Sequence, residues 1–177
     1  MAYVLNEEQE LLRDSAKDFL AERSPVGALR ALRDMGEEWS PELWTEMAEM
    51  GWPGIAISEE FEGLAFGYIG AGLLAEECGR SLATSPLISS ALVCSSLVER
   101  LGDESQKQKL LPSIANGECI LTLAVSAKGA VGSEHTEVLA RSEGDGFVLD
   151  GMASSVIDGG FAHRFLVVAR LEGKAGD

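Results

Sequence analysis

The stretch SAKGAVGSEHTE, residues 126–137, holds residue types that a small-molecule site uses. Gly129 and Gly132 permit close backbone approach, and Ser126 and Ser133 add hydroxyls. The apolar run CILTLAV leads into it. A glycine-rich loop after such a run can turn its amides toward a phosphate. It can equally be a plain turn between two strands. As nucleophiles, Ser126 and Ser133 lack a histidine placed to activate them. Lys128 is a loop lysine that could meet a phosphate or simply face solvent.

Other residues invite chemistry and have plainer readings. Acidic pairs stand at Glu7-Glu8, Glu37-Glu38, Glu59-Glu60 and Glu76-Glu77. Paired carboxylates can work as acid and base. Most of these pairs fall at helix starts or on solvated faces, and the macrodipole accounts for the first. Trp39, Trp44 and Trp52 cluster around one helix and its exit, which reads as core packing. Asp158 beside Gly159-Gly160 reads as a turn residue. His163 reads as a surface or strand-end residue. With only His135 and His163 in the chain, a histidine-based zinc site is not expected.

Composition narrows the classes. The 177 residues carry 14 Lys+Arg against 29 Asp+Glu, a net charge of -15. Such a chain repels nucleic acid and anionic lipid, and no basic cluster offsets that. Neither nucleic acid nor membrane is an expected partner. The start MAYVLNEEQE has no basic region and no signal-like apolar core. The longest uncharged run, SLATSPLISSALVCSSLV, contains Pro86 and many serines, so it reads as a buried helix. Cys78, Cys94 and Cys119 sit in apolar or small-residue company. They read as reduced, buried thiols, and the expected location is cytoplasmic.

The elements that must position these residues change character once. Residues 1–118 read as helical. Asn6 and Gln9 form a capping box for the first helix, with Leu12, Ala16, Phe19 and Leu20 on one stripe. Ser24-Pro25 and Ser40-Pro41 each place proline at a first helical position. Gly51 stops the third helix. GWPGIAISEEFEGLAFG reads as an irregular loop. YIGAGLLAEECGRSLA is the next helix, burying Leu73, Leu74 and Cys78. PLISSALVCSSLVERLG is another and ends at Gly102. Asp103 caps ESQKQKLLPSIANG, with Pro112 near its end. Residues 119–177 read as strands: CILTLAV, then GDGFVLDG, then RFLVVARLEG. The expected class is α+β: an all-α N-terminal domain followed by a partial antiparallel β-barrel domain. A β domain of about 60 residues can close, but this one reads as cut short.

The order of these segments resembles the acyl-CoA dehydrogenase family. The likeness spans essentially all 177 residues. It is strongest at QKLLPSIANGE and GFVLDG, and GWPGIAISEEFEGLAFGYIGAGLLAEECGRSLATSP looks like the family's helical N-terminal domain. The resemblance implies helices, a middle β-barrel and a C-terminal helical bundle, of which this chain looks like the first part and half or more of the second. It implies FAD bound between the middle and C-terminal parts, and α,β-desaturation of an acyl-CoA thioester. The carboxylate base normally lies in the C-terminal bundle, so no residue of this chain is assigned as catalytic. Homo- or hetero-oligomers of acyl-CoA dehydrogenase subunits are the implied assembly.

Two segments carry the implied cofactor contacts. The family's loop after the first barrel strand runs close to LTEPGAGSD. Its counterparts here are Val125 and Ser126, then Ala127-Lys128 in place of the Glu-Pro pair, then Gly132 and Ser133. The family's GxKxWIT segment sets an aromatic residue and a threonine against the flavin. The matching stretch is GMASSVIDGG: Gly151 matches, Ala153 replaces the lysine, Ser155 the aromatic and Ile157 the threonine. Val125, Ser126, Gly132, Ser133, Ser155 and Ile157 are therefore the candidate cofactor positions. Two functions stay open. One is an FAD-dependent acyl-CoA dehydrogenase, with a bulky or steroid-type acyl-CoA among its substrates and this chain inactive alone. The other is a non-catalytic subunit completing a partner's site, as in heteromeric enzymes of bacterial steroid side-chain breakdown.

Overall fold

The computed structural model describes residues 4–125 and 136–172. The chain divides into two compact units, Met1–Ile120 and Leu121–Asp177. The first is helical and the second is built of strands, so the class is α+β.

Six helices make the first unit: α1 (Glu7–Arg23), α2 (Val26–Met35), α3 (Pro41–Glu49), α4 (Gly67–Ser81), α5 (Ser95–Leu101) and α6 (Glu104–Ala115). Helix starts follow side-chain chemistry. Asn6 accepts from the Gln9 amide and Gln9 returns the bond, the expected capping box. Asp103 and Gln106 repeat it at α6. Ser40 caps α3 through the Leu43 amide, with Pro41 at the first helical position. The second Ser-Pro pair differs. Pro25 is the N-cap of α2, and Ser24 closes α1 by donating its amide to the Leu20 carbonyl. The short Ser24-Pro25 link must end one helix before opening the next, so the proline sits one position earlier than expected.

Capping sets one measurable expectation. Asp103→Ala removes both the side-chain acceptor and a negative charge at the positive end of α6. A loss of about 1 kcal/mol is expected in urea unfolding. Asp103→Asn, which keeps the acceptor, should recover most of it.

Apolar residues on the inner stripes form the core of this unit. α1 packs along α4, burying Ala16, Leu20 and Leu74. Trp44 and Met47 of α3 and Leu111 and Ile114 of α6 are buried as well. The Phe19 and Trp52 rings meet edge to face, centroids 5.3 Å apart at 73°. The Trp44 Nε1 donates to the Gly117 carbonyl at 2.9 Å, satisfying the one polar atom of a buried indole. Two of the three tryptophans are thus core residues. On the surface, Arg23 forms a fork with Glu46, one bond at 2.6 Å. That bond first, and the opposite charge with it, holds the Glu46 carboxyl below its usual range.

The glycine-rich stretch between α3 and α4 is ordered by its own backbone. It holds two 3-10 turns, Trp52–Gly54 and Glu59–Phe61. Leu64 donates to Gly54, Ala65 to Ile57 and Phe66 to Ile55, all at 2.8–2.9 Å. Ile55, Ile57 and Phe61 point into the core. The uncharged run is not one helix as expected: α4 ends at Ser81, residues 82–86 are not helical, Leu87–Cys94 is π-helical, and α5 follows from Ser95. The Ser95 and Ser96 hydroxyls donate back to the Ala91 and Leu92 carbonyls at 2.6 and 2.5 Å. Such back-bonding competes with the regular ladder.

The second unit has β1 (Leu121–Ala124), β2 (Leu139–Glu143), β3 (Gly146–Asp150), β4 (Arg164–Val167) and β5 (Arg170–Leu171). β2 and β3 pair antiparallel, Leu139 opposite Asp150 and Glu143 opposite Gly146. Gly144 supplies the positive φ, 59°, that a two-residue hairpin turn requires. β1 pairs with β4 and β2 with β5, both parallel. The antiparallel expectation therefore holds for the hairpin, and crossovers make the other pairings parallel. Among the described residues the strands form one two-stranded and one three-stranded sheet and do not close a barrel. β2 escaped the sequence reading because LARSE carries little apolar alternation. Every residue of β3 is exposed, Phe147 at 60% and Leu149 at 48%. No helix among the described residues is long and apolar enough to cross a membrane.

Candidate functional site

The candidate positions fall in two places of the second unit. Val125 follows β1 directly and is 38% exposed. Ser126, Gly132 and Ser133 lie outside the described residues, as do Ala127, Lys128 and Gly129. Ser155 and Ile157 lie in the connection from β3 to β4, residues 151–163.

That connection is anchored at its entry and its middle. Gly151 opens it with φ 139°, and a Cβ there would stand 2.6 Å from the Glu137 carbonyl oxygen and 2.7 Å from Val138 Cα. Only glycine fits so close to backbone in that conformation. In the middle, the Thr122 hydroxyl of β1 donates to the Ile157 carbonyl at 2.5 Å. Thr122 is 1% exposed. Ser155 and Asp158 flank that carbonyl, both at φ 57°, a region that non-glycine residues seldom occupy. Asp158 is a turn residue, its carbonyl accepting from Phe161 at 3.4 Å. His163 is exposed and immediately precedes β4.

Thr122 ties β1, the strand that precedes the first candidate loop, to the 151–163 connection, and it was not among the residues singled out in the sequence. The signal was present: a threonine inside CILTLAV is a lone polar side chain in an apolar run. Once buried, it must find a partner.

What these side chains offer a flavin is limited. Ser155 presents no aromatic face. Ile157 has no side-chain donor, the residue is 69% exposed, and its carbonyl accepts from Thr122. An aromatic wall contributes about 1 kcal/mol of stacking, and a hydrogen bond about as much again. The described residues of this segment do not fit a flavin ring.

Potential reactive groups elsewhere are quenched. Cys78, Cys94 and Cys119 are buried free thiols. Burial, and secondarily the Glu77 charge, pushes Cys78 up to about 11. Burial alone pushes Cys94 up to about 12. Neither is a thiolate at neutral pH, so neither is a ready nucleophile. Glu59 and Glu60 are exposed in a 3-10 turn. Glu77 departs from the solvated-face expectation: it is 6% exposed, with Arg80 Nε 3.4 Å from its carboxylate. The Tyr68 hydroxyl is held by Ser96 at 3.1 Å and Arg100 at 3.4 Å, and these bonds lower its pKa.

Capped helices in one unit and an open strand unit after them define an α+β chain of two compact parts. The family model for the acyl-CoA dehydrogenase N-terminal domain matches residues 6–118. The chain belongs to the acyl-CoA dehydrogenase family. It is 31% identical over 172 residues to the short-chain-specific acyl-CoA dehydrogenase of Clostridium acetobutylicum, covering 96% of this chain and 45% of that protein. Among solved structures, the Tcur3481-Tcur3483 steroid ACAD G363A variant superposes with a TM-score of 0.83 at 30% identity, over 94% of this chain and 45% of that one. The ChsE4-ChsE5 complex from Mycobacterium tuberculosis shares the fold, with a TM-score of 0.86 at 24% identity over 97% of this chain and 46% of that one. The chain thus spans a little under half the length of the relatives it matches.

Proposed function

We propose that this chain serves an acyl-CoA dehydrogenase as a non-catalytic subunit or portion, completing the site of a partner that holds the FAD. The acyl-CoA thioester is the substrate class, and a bulky or steroid-type acyl group is the preferred one. The observation that carries this reading is the pair Ser155 and Ile157. By the sequence likeness they take the positions of the family's aromatic wall and threonine, yet Ser155 supplies no ring and Ile157 no side-chain donor; the Ile157 carbonyl accepts from Thr122. The likeness to the Tcur3481-Tcur3483 steroid ACAD supports both the assembly and the substrate class. In this reading the partner supplies the base and the hydride acceptor, and this chain contributes surface and shape.

A second reading has the likeness to the Clostridium short-chain enzyme behind it: a flavoprotein that desaturates acyl-CoA itself. One experiment separates the two. The full-length protein is purified alone, mixed with FAD, passed through gel filtration, and its visible spectrum recorded. The subunit reading expects a colourless protein, turning yellow only on co-expression with a neighbouring dehydrogenase. Stoichiometric flavin on the protein alone would replace it with the second reading.

A further inference from the structure

We propose that Thr122 is a positioning residue that sets the shape of the 151–163 connection before any cofactor arrives. This rests on the reading above, in which the connection has lost its flavin-facing side chains.

Thr122 lies on β1, in register with Phe165 of β4. The two strands run parallel, so the chain must cross over to reach β4, and the connection is the last part of that crossover. It lies outside the sheets from Gly151 to His163. A segment of that kind has little to fix it unless side chains capture its backbone. Gly151 fixes the entry, where no side chain has room. Thr122, itself 1% exposed, fixes the middle through a 2.5 Å, half-buried bond to the Ile157 carbonyl. Losing the hydroxyl removes that tie between β1 and the connection. The flanking left-handed residues, Ser155 and Asp158, hold a conformation that persists only when its surroundings over-determine it. The Thr122 bond to the carbonyl between them contributes to that constraint, beside the turn bonds from Gly159 to Val156 and from Phe161 to Asp158. The crossover is therefore preset by the protein itself rather than ordered by a ligand, and it presents Ile157 outward in the same place with or without flavin.

Hydrogen exchange on the full-length protein tests this, read at the amides of residues 154–160 with and without added FAD. Wild type is expected to be protected there, equally in both conditions. Thr122→Val keeps the shape and removes the donor, and exchange at those amides should rise by about tenfold or more. Thr122→Ser keeps the donor and should stay within about twofold of wild type. Exchange in α4 and α6 should not change, which separates local positioning from general destabilisation. Unchanged exchange in Thr122→Val would overturn the proposal. So would a wild-type segment that is unprotected, or one that gains protection only when FAD is added. If Thr122→Val does not fold, the wild-type measurement with and without FAD still decides whether the connection is preset. Flavin retained by the wild-type protein with equal segment protection would sink the subunit reading and leave this one standing.

Discussion

Trp52→Ala is expected to cost about 3–5 kcal/mol, among the larger losses a single substitution can produce. Trp52 is 1% exposed and heads the 3-10 turn that leads out of α3. Its ring meets Phe19 of α1 edge to face at 5.3 Å. Removing it therefore opens a cavity where two separate segments meet, and it removes an aromatic pair worth about 1 kcal/mol beyond its area. The neighbours cannot collapse easily. The loop behind Trp52 is tied by the bonds from Leu64 to Gly54 and from Phe66 to Ile55. Guanidinium unfolding followed by circular dichroism at a helical wavelength reads the loss. Trp52→Phe should recover roughly half of it, because an aromatic ring still faces Phe19. A change below about 1 kcal/mol in Trp52→Ala would mean that this junction is not part of the cooperative core.

Gly63→Ala should be nearly as damaging, for the opposite reason. A Cβ at residue 63 would lie 2.1 Å from the Ile57 carbonyl oxygen, 2.4 Å from its carbon and 2.6 Å from Ile57 Cβ. The first two obstacles are backbone and cannot swing aside. The Ile57 carbonyl also accepts from Ala65, and Ser58 accepts from Gly63 itself, so relief in one place breaks a bond in another. The expected cost is at the upper end for overpacking, about 3 kcal/mol. Gly72→Ala is the matched control. It lies inside α4 with nothing within 4 Å of its Cβ position. There alanine should stabilise by roughly 0.5–1 kcal/mol, because it loses less backbone freedom on folding. Opposite shifts in melting temperature for the two glycines are the expected result.

These two expectations come from the stretch that the sequence disclosed least. Helix starts were legible because a cap is a local transaction: Asn6 needs only Gln9, and Asp103 only Gln106. Buried positions of α4 were legible because period 3.6 selects them. The 51–66 loop has no period. Its order comes from backbone bonds between residues up to eleven apart, such as Leu64 to Gly54 and Phe66 to Ile55. β2 failed for a related reason, since its strand character comes from pairing with β3 rather than from its own alternation. Pro25 failed by one position, because a two-residue link between helices must serve both.

In the candidate site the residue types were legible and their support was not. Ser155 and Ile157 could be aligned to a family segment, and their chemistry follows from their side chains alone. That Ser155 has a left-handed backbone, or that the Ile157 carbonyl is already held, is a matter of three dimensions. Thr122 entered only once a buried hydroxyl had to be accounted for. Three of the four candidate positions in the other loop, Ser126, Gly132 and Ser133, lie outside the described residues, so the comparison stands on the second segment.

Strand β3 has one more consequence. Phe147, Val148 and Leu149 alternate sides along it, yet all three are exposed, so both faces are apolar and open. Anything that covers either face binds the folded unit in preference to the unfolded chain. By mass action the stability of that unit rises with the logarithm of the covering species' concentration. A species that covered either face would therefore raise the unit's melting temperature as its own concentration rose, on top of what the buried Leu121, Ala124, Val138 and Ala140 contribute.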